Sequence, residues 1–190
     1  GIASVDHEVH HGAFDLAGIR HGRPEVGGQG GGQIDGRADG PAQQHVHTKG
    51  IDLARMLPAL HHTADDAGRF ITAGIVIVRD PDTGTYNASY HRLQLVGGSR
   101  TGVKLDFGRH LRLAFERAKR KGEALPIAVC IGSDLALHYT AATMGSQMPE
   151  DADELAVAGG LCGRPLPVVK AVTQDLLVPA DTEIVLEGHM

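Results

Sequence analysis

At 190 residues, 42% of them hydrophobic and 22% charged, the chain has the size and composition of one globular domain and not of a disordered segment. A formal net charge of -5, from 18 Lys+Arg against 23 Asp+Glu, argues against nucleic acid as a main partner, and two cysteines are too few for a disulfide framework. The longest apolar stretch, Ile71 to Val78, is far short of the roughly twenty residues of a membrane helix, and the amino terminus lacks the pattern of a secretory signal, so the expectation is a cytoplasmic protein with no membrane partner.

Residues 1–50 hold 12 of the 26 glycines and half of the 12 histidines. The run Gly27-Gly28-Gln29-Gly30-Gly31-Gly32 carries no apolar period, so residues 1–43 are expected to form an irregular leader. Asp52 to Leu57 reads as a short helix stopped by Pro58. Phe70 to Val78 reads as a buried strand. Asp80-Pro81-Asp82-Thr83-Gly84 is a turn signal, and Thr85 to Val96 follows as the return strand of a hairpin. Thr101 to Leu105 is a further short strand. Residues 109–121 form the clearest helix, with Leu111, Ala114, Phe115 and Ala118 at helical spacing, Glu116 four before Arg120, and Gly122 as its stop. Pro126 to Ile131 is an apolar strand. Ser133 or Asp134 opens a helix to Met144, and Asp151 or Asp153 opens another through Leu161. Strands over Val168–Thr173 and Glu183–Glu187 close the order. Strands and helices mix without a βαβ rhythm, which predicts an α+β domain with mostly antiparallel strands.

Three groups of residues carry candidate chemistry. His7-Glu8-Val9-His10-His11 matches H-E-x-x-H, in which His7 and His11 would bind zinc with Glu8 as base. Glycines follow at once where such a site needs a long helix, so a zinc hydrolase is the remote reading, and His45-x-His47 and His61-His62 are read as non-ligating pairs. The second group is the segment Asn87 to Arg92. Strand alternation puts Asn87, Ser89 and His91 on one face and Tyr90 and Arg92 on the other. It reads either as a wet edge strand or as a ligand-binding strand, with Arg92 as a fork for an anion and Asn87 as a neutral oxygen for a metal. The third is Arg109-His110, at a helix start whose free N–H groups suit phosphate. Separately, Glu154 in a first helical turn is either a surface acid or a ligand for a hard cation.

Taken together, these segments resemble the UbiD family of decarboxylases, which use prenylated FMN. The likeness begins near His45 and runs to the C-terminus. It rests on Asp52-Leu53-Ala54-Arg55-Met56-Leu57-Pro58, on Asp66-Ala67-Gly68-Arg69-Phe70-Ile71-Thr72-Ala73-Gly74, on Asn87-x-Ser89-x-x-Arg92, on Pro126-Ile127-Ala128-Val129-Cys130-Ile131-Gly132, and on Val178 to Gly188 with its Leu-Glu-Gly ending. The resemblance implies that residues 44–190 form a central cofactor-binding domain of split β-barrel type, akin to flavin reductases. It implies that Asn87, His110 and Glu154 hold a manganese or magnesium ion bridging to the cofactor phosphate. It places Ser89, Tyr90, His91 and Arg92 along the cofactor, Arg109 at the phosphate, a potassium ion at carbonyls around Thr140, Ala141 and Thr143, and Arg92 as the catalytic arginine. Asn87 and Arg92 fall on opposite faces of an ideal strand, so a bulge, twist or wrapped cofactor is needed to use both. The family's proton-shuttling glutamates lie beyond the Leu-Glu-Gly signature, and this sequence ends at Met190. The expectation is therefore a component or fragment of a decarboxylase of aromatic or α,β-unsaturated carboxylic acids, self-associating or completed by a separate C-terminal piece. The alternative is a non-catalytic flavin- and cation-binding module or accessory subunit.

Overall fold

The computed structural model describes residues 11–21, 34–143 and 147–190, the first segment as backbone alone. In chain order these form β1 (His11–His21), β2 (Ile34–Arg37), a 3-10 turn (Pro41–Gln43), β3 (His45–His47), α1 (Leu53–Met56), β4 (Phe70–Ile71), β5 (Ile75–Arg79), β6 (Tyr86–Tyr90), β7 (Leu93–Gly97) and β8 (Arg100–Lys104). There follow α2 (His110–Lys121), β9 (Pro126–Ile131), α3 (Leu135–Ala142), α4 (Glu154–Cys162), β10 (Leu166–Lys170), β11 (Leu177–Pro179) and β12 (Ile184–His189). The expected class holds: helices accompany sheets whose ladders are antiparallel except for β2 with β10.

The larger sheet runs in the order β4-β7-β8-β1-β12-β9-β5-β6, with β3 also on β1, and a smaller one runs β11-β10-β2. Laid flat, six strand spacings would separate β7 from β6, about 29 Å. Yet β6 ends at Tyr90 and β7 begins at Leu93, and three Cα steps span at most about 11 Å. The sheet must therefore curl until its ends approach. No ladder joins those ends among the described residues, so the barrel does not close.

The sheet is buried on both faces near β5 and β9. Ile75 and Ile77 join Ala128 and Cys130 in one core, with Leu137 of α3, Leu155 of α4 and Val168 of β10. Val76 and Val78 join Ile127 and Val129 in the other, with Leu111 and Ala114 of α2. Strand alternation sends successive residues to opposite cores. That is why the runs Ile75-Val76-Ile77-Val78 and Ile127-Ala128-Val129-Cys130 are apolar throughout rather than alternating.

Several expectations are corrected. The irregular leader fails at residues 11–21, which form β1 inside the large sheet, and at residues 34–37, which form β2 against β10. These strands are fixed by ladder hydrogen bonds to β8, β12, β3 and β10. Such bonds satisfy backbone groups whatever the side chains, and so leave no apolar period to read. The strand predicted over Phe70–Val78 is two strands with different partners, β4 on β7 and β5 on β6 and β9. At the corner Gly74 lies so close to the core that a Cβ would meet Val129 Cγ1 at 2.7 Å. The strand predicted over Thr85–Val96 likewise breaks at His91-Arg92. Glu116 pairs with Arg112 at 2.7 Å and not with Arg120, because Arg112 is drawn inward by Leu105 O at 3.3 Å and by the Phe107 ring.

The sequence reading places Glu187 in a strand but does not foresee its burial. Glu187, on β12, is fully buried, and its carboxylate accepts from Val172 N at 3.1 Å and from Thr173 N and Thr173 Oγ1 at 2.6 Å each. It fastens the loop after β10 to the sheet. Glu187→Ala leaves these donors without that acceptor and should lower the unfolding free energy by about 3 kcal/mol. Glu187→Gln, which keeps one acceptor oxygen, should lose less. Urea titration measures both, and equal stability of the Ala variant and the parent would refute the fastening role.

Candidate functional site

Local capping builds the site. Asp153 caps α4 through Oδ1, which accepts from Ala156 N at 3.0 Å, while its Oδ2 accepts from Tyr86 N at 3.5 Å. One side chain thus starts a helix and ties that start to the first residue of β6. The next residues on each element, Glu154 and Asn87, are brought face to face. On the far side of β6, Asp80 accepts from Asp82 N at 2.8 Å and Thr83 N at 3.1 Å, which closes the turn between β5 and β6 as Pro81 and Gly84 suggest. Arg117 of α2 binds Asp80 at 2.5 Å, fixing α2 against the same hairpin. The α2 N-terminus, with Arg109 at its cap and His110 in its first turn, has no side-chain cap.

Asn87 Nδ2 donates to Glu154 Oε1 at 2.8 Å, and His110 Nδ1 lies 3.4 Å from the same oxygen. Asn87 is 8% exposed and Glu154 3%. The other carboxylate oxygen, Glu154 Oε2, is buried with no hydrogen-bond partner among the described residues. Burial pushes the Glu154 carboxyl above the usual carboxylate range, opposed by the hydrogen bonds from Asn87 and His110. The chain continues along β6: Ser89 Oγ donates to Asn87 Oδ1 at 3.2 Å and lies 3.0 Å from His91 Nε2. The alternation read from the sequence, which puts Asn87, Ser89 and His91 on one face, is what these contacts require. Burial lowers the His91 pKa to about 4, helped by the Arg109 charge and opposed by Asp106.

Tyr90 leaves on the opposite side. Its hydroxyl meets His138 Nδ1 of α3, with the rings 5.7 Å apart. His138 was not among the sequence candidates, and a lone histidine on an apolar helix gives no signal of such a pairing. Arg92 is exposed and stands in the two-residue link between β6 and β7, where the ladder stops. Because β6 ends at Tyr90, the strand alternation that put Asn87 and Arg92 on opposite faces does not extend to Arg92.

Thr140 and Ala141 fall in the last turn of α3 with Thr143 at its C-cap, where Thr140 O accepts from Thr143 N at 3.0 Å. Of the H-E-x-x-H motif, His7 and Glu8 lie outside the described residues, and His11 opens a strand where the motif needs a helix. His45-x-His47 forms β3, exposed along its length. No described helix is long and apolar enough to cross a membrane.

A family model, the UbiD 3-octaprenyl-4-hydroxybenzoate carboxy-lyase Rift-related domain, matches residues 34–190. The anhydromevalonate phosphate decarboxylase of Methanothermobacter thermautotrophicus is 41% identical over 134 residues, 70% of this chain and 30% of that protein. Among solved structures, the UbiD-class enzyme HmfF from Pelotomaculum thermopropionicum in complex with FMN superposes with a TM-score of 0.75 at 40% identity, covering 85% of this chain and 36% of that one. The vanillic acid decarboxylase of Sedimentibacter hydroxybenzoicus in its closed form gives a TM-score of 0.76 at 28% identity, over 82% of this chain and 34% of that one. An evolved dimeric form of HmfF is solved with prenylated FMN. The chain spans about a third of the length of these relatives.

His91 supplies a pH test. Its folded pKa of about 4 lies below the ordinary 6.5. Unfolding therefore takes up a proton between these values, and the stability from a neutral His91 is complete above about 6.5 and lost as pH falls toward 4. With the ring partly exposed, the loss is on the order of 2 kcal/mol. His91→Gln should be less sensitive than the parent over that interval by this amount in urea titrations at pH 7.5 and 4.5. Parallel loss in both proteins would show that His91 is not held neutral.

Proposed function

The chain belongs to the UbiD family of decarboxylases, and from that membership we propose that it is the cofactor-binding portion of a prenylated-FMN-dependent carboxy-lyase acting on aromatic or α,β-unsaturated carboxylic acids. The observation that carries the reading is the Glu154 carboxylate, which has one oxygen shared by Asn87 and His110 and the other buried without a partner among the described residues. A buried carboxylate left in this condition costs stability unless an ion completes it. An amide oxygen, an imidazole and a carboxylate make a hard, mixed donor set that suits Mn2+ or Mg2+. Glu154 Oε1 lies 2.8 Å from the Asn87 amide nitrogen and 3.4 Å from His110 Nδ1, so a half-turn of the Asn87 amide would set an oxygen, an imidazole nitrogen and a carboxylate beside one another. The residues fit the group.

In this reading Asn87, His110 and Glu154 hold the divalent ion against the flavin phosphate, and the ion's charge offsets repulsion between phosphate and carboxylate. Arg109 and the free amides at the start of α2 face the phosphate end. Ser89, Tyr90 and His91 contact the cofactor, Tyr90 from the side opposite the other two. The Arg92 guanidinium grips the substrate carboxylate as a two-pronged donor and orients it for loss of CO2. The bound prenylated flavin supplies the electron sink that accepts the pair left behind. The curled sheet corresponds to the split β-barrel of flavin reductases. Carbonyls at the end of α3, around Thr140, Ala141 and Thr143, are the potassium site. The working protein self-associates.

Anaerobic reconstitution of the full chain with prenylated FMN and Mn2+ tests the reading through flavin absorbance, retained manganese and released CO2. Glu154→Ala and Asn87→Ala should each weaken manganese and flavin retention together, by tenfold or more. Arg92→Ala should retain most of the flavin and lose any CO2 release. A Glu154→Ala variant that keeps manganese and flavin as tightly as the parent overturns the cation site. Flavin bound without turnover in every assembly favours a non-catalytic binding module.

A further inference from the structure

The contacts Glu154–Asn87–Ser89–His91 form one unbranched chain of hydrogen bonds, and such a chain has two self-consistent directions. In the direction described, Asn87 Nδ2 donates to Glu154 Oε1 at 2.8 Å, Ser89 Oγ donates to Asn87 Oδ1 at 3.2 Å, and the hydroxyl oxygen, 3.0 Å from His91 Nε2, accepts the proton carried there. Turning the Asn87 amide by half a revolution exchanges its nitrogen and oxygen at nearly the same positions. Asn87 Nδ2 then donates to Ser89 Oγ. The hydroxyl, with one proton to give, donates onward to His91 Nε2, which must present a lone pair. The imidazole proton then sits on Nδ1. No proton is gained or lost overall; one moves from Nε2 to Nδ1 by exchange with solvent.

The second direction sets the amide oxygen and Glu154 Oε1 about as close as the described pair, two acceptors with no proton between them. That is unfavourable by itself and favourable with a cation at both oxygens. The amide of Asn87 can ligate an ion through oxygen alone. The ion therefore selects the second direction, and Ser89 is the single group that relays this choice. Burial and the nearby Arg109 hold the His91 ring neutral at pH 7, so both tautomers are open to it.

We propose that Ser89 is a positioning residue for the divalent ion: its hydroxyl reverses direction when the Asn87 oxygen turns to the ion, and it passes that reversal to His91 as a change of tautomer. The proposal rests on the cation site proposed above and deepens it. It gives a reason for a serine between Asn87 and His91, since a hydroxyl both donates and accepts and can serve either direction.

The test is a titration of the full chain with Mg2+, which leaves NMR signals intact, followed by calorimetry and by 15N spectra of the histidine rings, with His91 assigned through His91→Gln. The expected result is an Nε2-protonated ring before Mg2+ and an Nδ1-protonated ring at saturation. Ser89→Ala should bind Mg2+ about tenfold more weakly and show no tautomer change, and Ser89→Thr, which keeps the hydroxyl, should restore both. Binding of Mg2+ with the His91 tautomer unchanged, or a full tautomer change in Ser89→Ala, overturns the relay and leaves the cation site standing. No Mg2+ binding to the parent chain overturns both.

Discussion

The carboxylate of Glu154 is the constraint around which this domain is arranged. An acid at 3% exposure needs counter-charge and hydrogen bonds or it drives unfolding. The protein supplies an amide, an imidazole, and nothing among the described residues for the second oxygen. Such a group is poor as a structural device, since a leucine of similar volume would pack at lower cost. Its environment is intelligible as a place prepared for charge, which is what makes it the candidate site.

The architecture serves that arrangement. Asn87, His110 and Glu154 lie on three elements far apart in sequence, so no local signal brings them together. The sheet is buried on both faces at β5 and β9, and this makes its spine rigid. Against it β6 forms the end strand, with α2 and α4 packed alongside. Two aspartates then do local work: Asp153 joins the start of α4 to β6, and Asp80, through Arg117, joins the hairpin turn to α2. Each tie is an N-cap or turn bond with a side reach, a modest energy on its own. Together they set the three candidate side chains to within hydrogen-bond distance.

Much of this was legible in the sequence where a single element decides it. Helix α2 shows in its apolar stripe and in Gly122, which adopts the left-handed φ of +70° its stop requires. The caps read as Ser133 or Asp134 and as Asp151 or Asp153, and the second of each pair is the cap. The polar face of β6 follows from a period of two. What was hidden depends on partners remote in sequence. β1 owes its order to ladders with β8 and β12, and a Gly-rich segment advertises none of them. The breaks at Gly74 and His91-Arg92 come from the sheet curling on itself, so neither run reveals them. Glu187 looks like a surface acid in a strand and is buried, because a loop folds over to donate to it. The pairing of Asn87 with Glu154 came from resemblance alone, since a carboxylate in a first helical turn is ordinarily a dipole partner in solvent.

The distribution of the candidate residues over the fold separates two tasks. Asn87, Ser89, His110 and Glu154 stand on laddered strand or helix, and their rotamers are held by one another. Arg92 stands on the link where β6 has ended and β7 has not begun, and it is exposed. A long, rotamer-rich side chain in that position loses substantial entropy when it is fixed. Whatever packs over the link therefore decides how well its guanidinium is aimed. On the proposed function, holding a charged cofactor tail would fall to the domain's laddered part. Gripping a substrate carboxylate would depend on surroundings that the link alone does not provide, so that affinity for the cofactor and competence for decarboxylation would separate under mutation.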